Sequence, residues 1–190
     1  MLEKPQRRDA AERRKAILAA AEMAFAEKGL DVPLEEICVA AGVGRATLYR
    51  NFENRIALVH ALMSANVEKL AALADSAAAR PDGLRIYLAE ILDQLVKTGG
   101  LVHLIGLDPQ LDHDLSRRVL AHIERLLAGA QSAGVVRADV TSARVNMVIR
   151  MMSGGLNGLS FAERRRIGPE VFELCMAALG MAQPSGAPAG

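Results

Sequence analysis

The stretch Leu34–Asn51, with the sequence LEEICVAAGVGRATLYRN, contains two short segments with helical patterns and a turn between them. The spacing of its apolar residues predicts one helix over 34–41 and another over 45–51, with Gly42 ending the first. Two short helices joined by a tight glycine-containing turn form a helix-turn-helix arrangement. The side chains predicted to fill the space between the two helices are Ile37, Cys38, Val43 and Leu48.

The second helix of this pair exposes side chains that suit DNA recognition. In helix-turn-helix proteins the N-terminal end of the second helix contacts base edges in the major groove. Arginine is the commonest side chain that reads a specific base, because its guanidinium can donate hydrogen bonds to O6 and N7 of one guanine at the same time. On spacing alone, an ordinary helical bundle remains the alternative. The residues predicted on or near the exposed side are Arg45, Thr47, Tyr49 and Arg50.

Helical patterns continue on both sides of this stretch, and no segment has a convincing strand pattern. Apolar residues make up 51% of the chain and aromatic residues 3%, so the core must come from aliphatic side chains that favour helices. We therefore predict an all-α fold of about nine helices. The other seven are predicted near 9–28, at 55–78, from Leu84 to Gly99, at 101–107, after a cap at Asp112 or Asp114, at 142–155 with Thr141 as cap, and at about 164–179.

The net charge of +1 is unevenly distributed. Residues 1–15 carry six bases and three acids (+3), residues 22–36 one base and five acids (−4), and residues 45–55 three bases and one acid (+2). Positive patches attract phosphate groups whatever the net charge of the chain. The basic arm, Lys4–Lys15, is thus a second candidate for DNA contact, in the minor groove or at phosphates. A frayed, solvated terminus is the alternative.

Composition also argues against several protein classes. Cys38 and Cys175 are far apart and form no CxxC pattern, which indicates reduced thiols rather than a disulfide scaffold. The first residues contain no apolar stretch of the signal-peptide type. No run approaches the ~18 apolar residues that a membrane span needs. We expect a cytoplasmic protein with no membrane partner.

About 45 residues, from Arg14 to Leu58, closely resemble the TetR family of bacterial regulators and keep that family's spacing throughout. The resemblance implies an all-helical homodimer. Its first three helices would bind a palindromic DNA operator, and the remaining helices would dimerise and bind a small-molecule inducer. The segments that carry the resemblance are RKAILAAA (14–21), Phe25, GL (29–30), LEEI (34–37), AGVGRATLYRNF (41–52) and Leu58.

The resemblance also implies roles for single residues. It places Arg45 and Thr47 against bases, and Tyr49 at a phosphate. Asn51 would lie near the DNA backbone, and Arg55, where the family usually has lysine, would contact phosphate. Pro33 replaces a Thr or Ser that often bonds phosphate, so that contact is absent here. The full predicted DNA-binding set is Gly44, Arg45, Ala46, Thr47, Tyr49, Arg50, Asn51 and Arg55.

The predicted division of the chain is a DNA-binding domain over 1–54, a ligand-sensing and dimerising domain over 55–180, and a disordered tail over 181–190. Methionines suit adaptable binding surfaces, although at helical spacing they are usually ordinary core residues. The candidates to line an apolar ligand pocket are Met63, Tyr87, Ile91, His103, Leu107, Met147, Met151 and Met152.

The predicted helix over 142–155 is apolar almost all round, so it must be covered on several sides. Together with the last helix and the small residues Gly154, Gly155 and Gly158, it predicts a homodimer seam from about 142 to 179. Internal packing, with a loop around 154–160, is the alternative.

No pattern in the sequence indicates an enzyme. The segment Asp108–Asp114 bunches acidic residues and a histidine, but it lacks zinc or calcium spacing, and capping of the next helix explains it. No nucleophile elbow is present. We predict no catalysis, no metal and no cofactor. The rival to a DNA-binding regulator is a helical ligand- or partner-binding module without operator binding.

Overall fold

The computed structural model describes residues 3–98 and 109–181, with side chains described for 9–98 and 114–181. Within these ranges the chain is all-helical and has no strand, as predicted. The one remaining predicted helix, at 101–107, lies outside the described residues. The eight described helices are α1 (Glu3–Lys28), α2 (Leu34–Ala41), α3 (Arg45–Asn51), α4 (Arg55–Ala77), α5 (Gly83–Thr98), α6 (Pro109–Ser132), α7 (Ser142–Leu156) and α8 (Phe161–Ala178).

Helix α1 begins six residues before its predicted start at residue 9. The additional segment, EKPQRR, consists mainly of good helix formers. Its Pro5 lies in the first turn, where a backbone N–H has no intrahelical partner to lose. The basic arm is therefore the beginning of a helix rather than a frayed terminus.

Helix α6 also begins earlier than predicted, at Pro109, so the interpretation of Asp112 or Asp114 as its cap is wrong. Proline is favoured at a first helical position because its φ angle is already helical. Asp114 lies within the helix instead, and its carboxylate pairs with Arg117 at 2.5 Å.

The last two helices begin at side-chain caps. The Thr141 hydroxyl accepts a hydrogen bond from the Arg144 N–H at 3.2 Å, as predicted. Helix α8 begins three residues before its predicted start because Ser160 and Glu163 form a reciprocal capping box.

Two hydrophobic clusters share α4. The smaller cluster joins α1, α2 and α3 to the first half of α4. The larger joins the second half of α4 to α5, α6, α7 and α8. Helix α4 is long and apolar enough to cross a membrane by length and composition alone, but its buried face is divided between these two cores. The buried members of the smaller cluster are Ile17, Ala20, Ala21, Phe25, Val32, Ile37, Cys38, Leu48, Phe52, Leu58, Val59 and Leu62.

The larger cluster extends to Met181, which the sequence interpretation assigned to the disordered tail. Met181 is 6% exposed, and its carbonyl accepts a hydrogen bond from Arg85 at 3.0 Å. Met181, the residue after the turn at Gly180, is therefore packed against the larger cluster. Residues 182–190, the rest of the predicted tail, lie outside the described residues.

Candidate DNA-binding surface

The helix-turn-helix is held by the side chains that the sequence predicted. Ile37 and Leu48 are fully buried, and Cys38 is 6% exposed. Gly42 ends α2 with φ +64°, a left-handed conformation that favours glycine. The Val43 N–H then donates to the Cys38 carbonyl at 3.0 Å, which closes the turn. Helix α3 is consequently fixed against α2.

Helix α3 presents Arg45, Ala46, Tyr49 and Arg50 on its exposed side, while Thr47 is half-buried. The Arg45 guanidinium carbon lies 5.8 Å from the centre of the Tyr49 ring. Tyr49 itself is 42% exposed. An exposed arginine and an exposed phenol are the chemical groups that can bind guanine and donate to phosphate, respectively.

The Arg50 side chain forms hydrogen bonds within its own helix. Its Nε donates to the Ala46 carbonyl at 3.2 Å, and its Nη2 donates to the Thr47 hydroxyl at 3.1 Å. Arg50 therefore fixes the Thr47 hydroxyl in the absence of DNA.

Asn51, predicted to lie near the DNA backbone, is half-buried at the end of α3 and bonds its own helix. Its side-chain amide donates to the Thr47 carbonyl at 2.8 Å. From α1, Arg14 donates to the Asn51 carbonyl at 3.3 Å and stacks on Phe52, with 4.5 Å to the ring centre. Arg14 thus braces the end of α3, a role that sequence analysis missed because Arg14 was counted with the basic arm.

Arg55, predicted to contact phosphate, is half-buried at the beginning of α4. Its Nη1 donates to the Leu30 carbonyl, so it anchors the connection between α1 and α2. Asn54 caps the same helix by accepting from the Ala57 N–H at 2.9 Å. The Arg55 guanidinium has five N–H donors, so its bond to the Leu30 carbonyl leaves others for a phosphate.

Glu35 of α2 forms an ion pair with the exposed face of α3, and sequence analysis did not single it out. Its carboxylate lies 3.1 Å from Arg45 Nη1, with both side chains more than half exposed. A hydrogen bond with Tyr49 and the Glu35 carboxylate raise the pKa of Arg45. Glu35 thus occupies one nitrogen of Arg45 and places a negative charge beside it, so in a complex with DNA this pair would compete with the contacts predicted for Arg45.

We expect Glu35→Gln to strengthen binding to DNA by about 2- to 5-fold, because an exposed ion pair contributes up to about 1 kcal/mol. The gain should shrink as salt is added, since exposed charges are screened. Fluorescence anisotropy titrations at two salt concentrations measure both effects. Glu36→Gln is the matched control: Glu36 is the next residue, but its carboxylate pairs with Lys28. Equal gains from the two variants would contradict a specific Glu35–Arg45 effect.

An open hollow of about 370 Å³ lies beside this surface, between α1 and the turn. Arg13 lies on the α1 side of this hollow, and residues of the turn line the other side. The hollow is lined by Glu12, Arg13, Ala16, Ala41, Gly42, Val43, Gly44 and Thr47.

Comparison with known proteins shows which family has this architecture. Residues 17–62 match the family model described as bacterial regulatory proteins, tetR family, and residues 80–157 match the C-terminal domain of SbtR-like transcriptional regulators. The TetR transcription regulatory protein of Mycobacterium vanbaalenii is 34% identical over 80% of this chain and 99% of that protein, with a TM-score of 0.66. The chain belongs to the TetR family.

Other TetR-family structures share the fold. The regulator SCO0520 of Streptomyces coelicolor is 26% identical over 87% of this chain and 97% of its own, with a TM-score of 0.70. LfrR of Mycobacterium smegmatis, solved with proflavine, is 21% identical over 92% and 98% of the two chains, with a TM-score of 0.62. No curated protein is significantly similar to this chain. The protein is a DNA-binding transcriptional regulator of the TetR family.

The residues predicted to form the ligand pocket of this TetR-family regulator do not all lie together. Tyr87, Ile91 and Met152 are buried in the larger cluster, whereas Met63 packs against the smaller one. Met147 and Met151 are 62% and 56% exposed on α7. His103 and Leu107 lie outside the described residues.

Tyr87 has a polar partner that the sequence did not reveal. Its hydroxyl lies 3.0 Å from His122 Nδ1, and the two rings meet edge to face. Burial raises the pKa of Tyr87. Burial, together with nearby Arg125 and Arg118, lowers the pKa of His122. Both side chains are therefore neutral near pH 7, and this pair is a hydrogen-bonding group that joins the buried Tyr87 to the half-buried His122 at the border of a largely aliphatic core.

Proposed function

We propose that this regulator is a cytoplasmic repressor that binds a palindromic operator as a homodimer and is released by a small-molecule inducer. The observation that carries the proposal is the exposed Arg45–Tyr49 face of α3. A fully buried anchor at Leu48 holds that face in place. The proposed DNA contacts are Arg45 and Thr47 to bases and Tyr49 and Arg55 to phosphates. Gly44 and Ala46 would allow close approach, with Arg50 and Asn51 as supports.

A homodimer through α7 and α8 is supported by an apolar face that the single chain leaves open. Met147 and Met151, one helical turn apart, form that face on α7, and Leu174 of the neighbouring α8 is also exposed, at 67%. A Cβ at Gly155 would lie 3.9 Å from the Val171 methyl groups, so the two helices cross closely there. Exposed apolar side chains grouped in this way are typical of an interface.

Dimerisation would give the DNA-binding surface its specificity. A two-fold pair of α3 helices reads two half-sites together when their separation matches about one turn of DNA, roughly 34 Å. An inducer that binds better to a conformation with another separation releases the operator, because only differential affinity shifts the equilibrium.

The ligand is proposed to be a largely apolar small molecule. Tyr87, Ile91 and Met152 are aromatic or aliphatic members of the larger cluster, and the Tyr87–His122 pair offers a polar anchor. LfrR, a protein of the same fold, was solved with proflavine. Nothing in the described residues indicates catalysis, and we propose no enzymatic role.

Selection of bound sequences from a random duplex pool tests the DNA-binding proposal. The full-length protein is expected to enrich an inverted repeat whose half-sites are centred about 10 base pairs apart or at a multiple of that spacing. A single enriched half-site would overturn the dimer. A pool that stays random would overturn operator binding and favour the rival, a ligand- or partner-binding module.

A further inference from the structure

Arg164, in the first turns of α8, is buried although it carries a charge. It is 6% exposed, whereas its neighbours Arg165 and Arg166 are exposed. Burial lowers the pKa of Arg164, yet an arginine side chain remains charged in proteins. A buried charge needs full hydrogen bonding, so the partners of this guanidinium indicate its role.

The guanidinium bonds backbone carbonyls in three separate segments. Its Nη2 donates to Ala26 in α1 at 2.9 Å, its Nε to Val96 in α5 at 2.8 Å, and its Nη1 to Leu159 before α8 at 2.5 Å. Ala26 and Val96 each belong to the last four residues of their helix. Carbonyls at that end lack intrahelical partners and carry partial negative charge. A cation is therefore well matched to both helix ends.

The side chain of Arg164 projects from a fixed position. The Ser160–Glu163 capping box holds the beginning of α8. One turn after Arg164, Gly168 lets α8 approach α5 so closely that a Cβ there would lie 3.1 Å from a Val96 methyl group. Phe161 covers the guanidinium, with 5.9 Å from its ring centre to the guanidinium carbon. Arg164 thus joins a firmly packed α8–α5 pair to α1.

We propose that Arg164 is the positioning residue that fixes the DNA-binding domain on the sensory domain. Helix α1 packs in the smaller cluster with the helix-turn-helix, whereas α5 and α8 belong to the larger one. One guanidinium bonds the ends of α1 and α5 together. A displacement of the last turn of α5 must therefore move α1 or break a bond. This inference rests on the proposed function, because it supplies the link between inducer and operator.

The test measures the distance between the two domains within one protomer. Spin labels at Glu53→Cys and Ala128→Cys, both exposed positions, are compared by double electron–electron resonance in protein diluted with unlabelled chains. Cys38 and Cys175 are buried, and burial raises the pKa of both thiols, so labelling near pH 7 favours the introduced cysteines. Arg164→Gln removes the charge and Arg164→Lys keeps it. Arg165→Gln is the matched control, since Arg165 also lies over Phe161, at 5.8 Å, but is exposed.

We expect Arg164→Gln to broaden the distance distribution and to weaken operator binding about tenfold, with Arg165→Gln unchanged in both. Arg164→Lys should be intermediate, because an ammonium cannot match the fixed fork of a guanidinium. If the glutamine variant does not fold, the lysine variant gives the same comparison. An unchanged distribution in a folded Arg164 variant overturns the proposal. The distance measurement needs no DNA, so it remains decisive even if no operator is selected and the proposed function fails.

Discussion

Replacing Arg45 by alanine and Tyr49 by phenylalanine in one protein is expected to abolish sequence-selective DNA binding. A well-placed arginine–guanine contact contributes about 1–3 kcal/mol. A dimer uses two copies, so about 2–6 kcal/mol is lost, which corresponds to roughly 30- to 10⁴-fold in affinity. Removing the Tyr49 hydroxyl eliminates one hydrogen bond to phosphate in each half-site. Both side chains are exposed, so the fold should be unaffected.

Affinity for the selected duplex and for a scrambled duplex, together with a thermal melt, measures this prediction. The control is Arg125→Ala, the same kind of change on α6, where Arg125 pairs with Asp75 at 2.7 Å. If the double variant binds the selected duplex as tightly as this control, α3 is not the reading helix. Loss of binding accompanied by a lowered melting temperature would instead indicate a folding defect.

The second large effect is expected from Met151→Arg combined with Leu174→Arg. Both side chains are more than half exposed in the single chain, so the protomer should still fold. In the proposed dimer, four new cations would meet across an apolar seam without partners, which is strongly unfavourable. We expect a monomer. Its operator affinity should fall by about 10²-fold or more, because the second half-site is no longer bound intramolecularly.

Light scattering coupled to size-exclusion chromatography gives the mass of this variant. Met23→Arg is the matched control, because Met23 is 65% exposed on α1, which is not part of the proposed seam. A dimeric mass for the double variant would place the interface elsewhere. A monomeric mass with unchanged operator affinity would show that DNA binding does not depend on the seam.

Local signals in the sequence predicted much of the fold. The helix-turn-helix, its turn at Gly42 and the Thr141 cap each depend on residues close together in the chain. Errors arose where two local signals competed. Asp114 looked like a cap, but Pro109 had already started the helix. The last helix was predicted late because the capping box at Ser160 was overlooked.

Side-chain partners across the fold were not predictable in the same way. Arg14 and Arg164 both lie in runs of charged residues, which normally indicate a solvated surface. Arg14 instead bonds the end of α3, and Arg164 bonds carbonyls 138 and 68 residues away in sequence. Glu35 was assigned no contact of its own from the sequence, although its carboxylate pairs with Arg45 at 3.1 Å. No local pattern encodes such contacts, because they depend on how complete helices pack.

The sequence by itself determined the all-α fold and the helix-turn-helix, and it predicted which face of α3 reads DNA. These follow from residue spacing within one or two helical turns, where side-chain direction is set by the backbone. Only the tertiary structure decided which of the polar side chains bond backbone carbonyls of the protein and which remain exposed. It left Arg45 exposed, turned Asn51 and Arg55 toward backbone carbonyls, and buried Arg164 between the domains. The physical reason is that helix ends present unpaired carbonyls, and packing alone determines which cation reaches them.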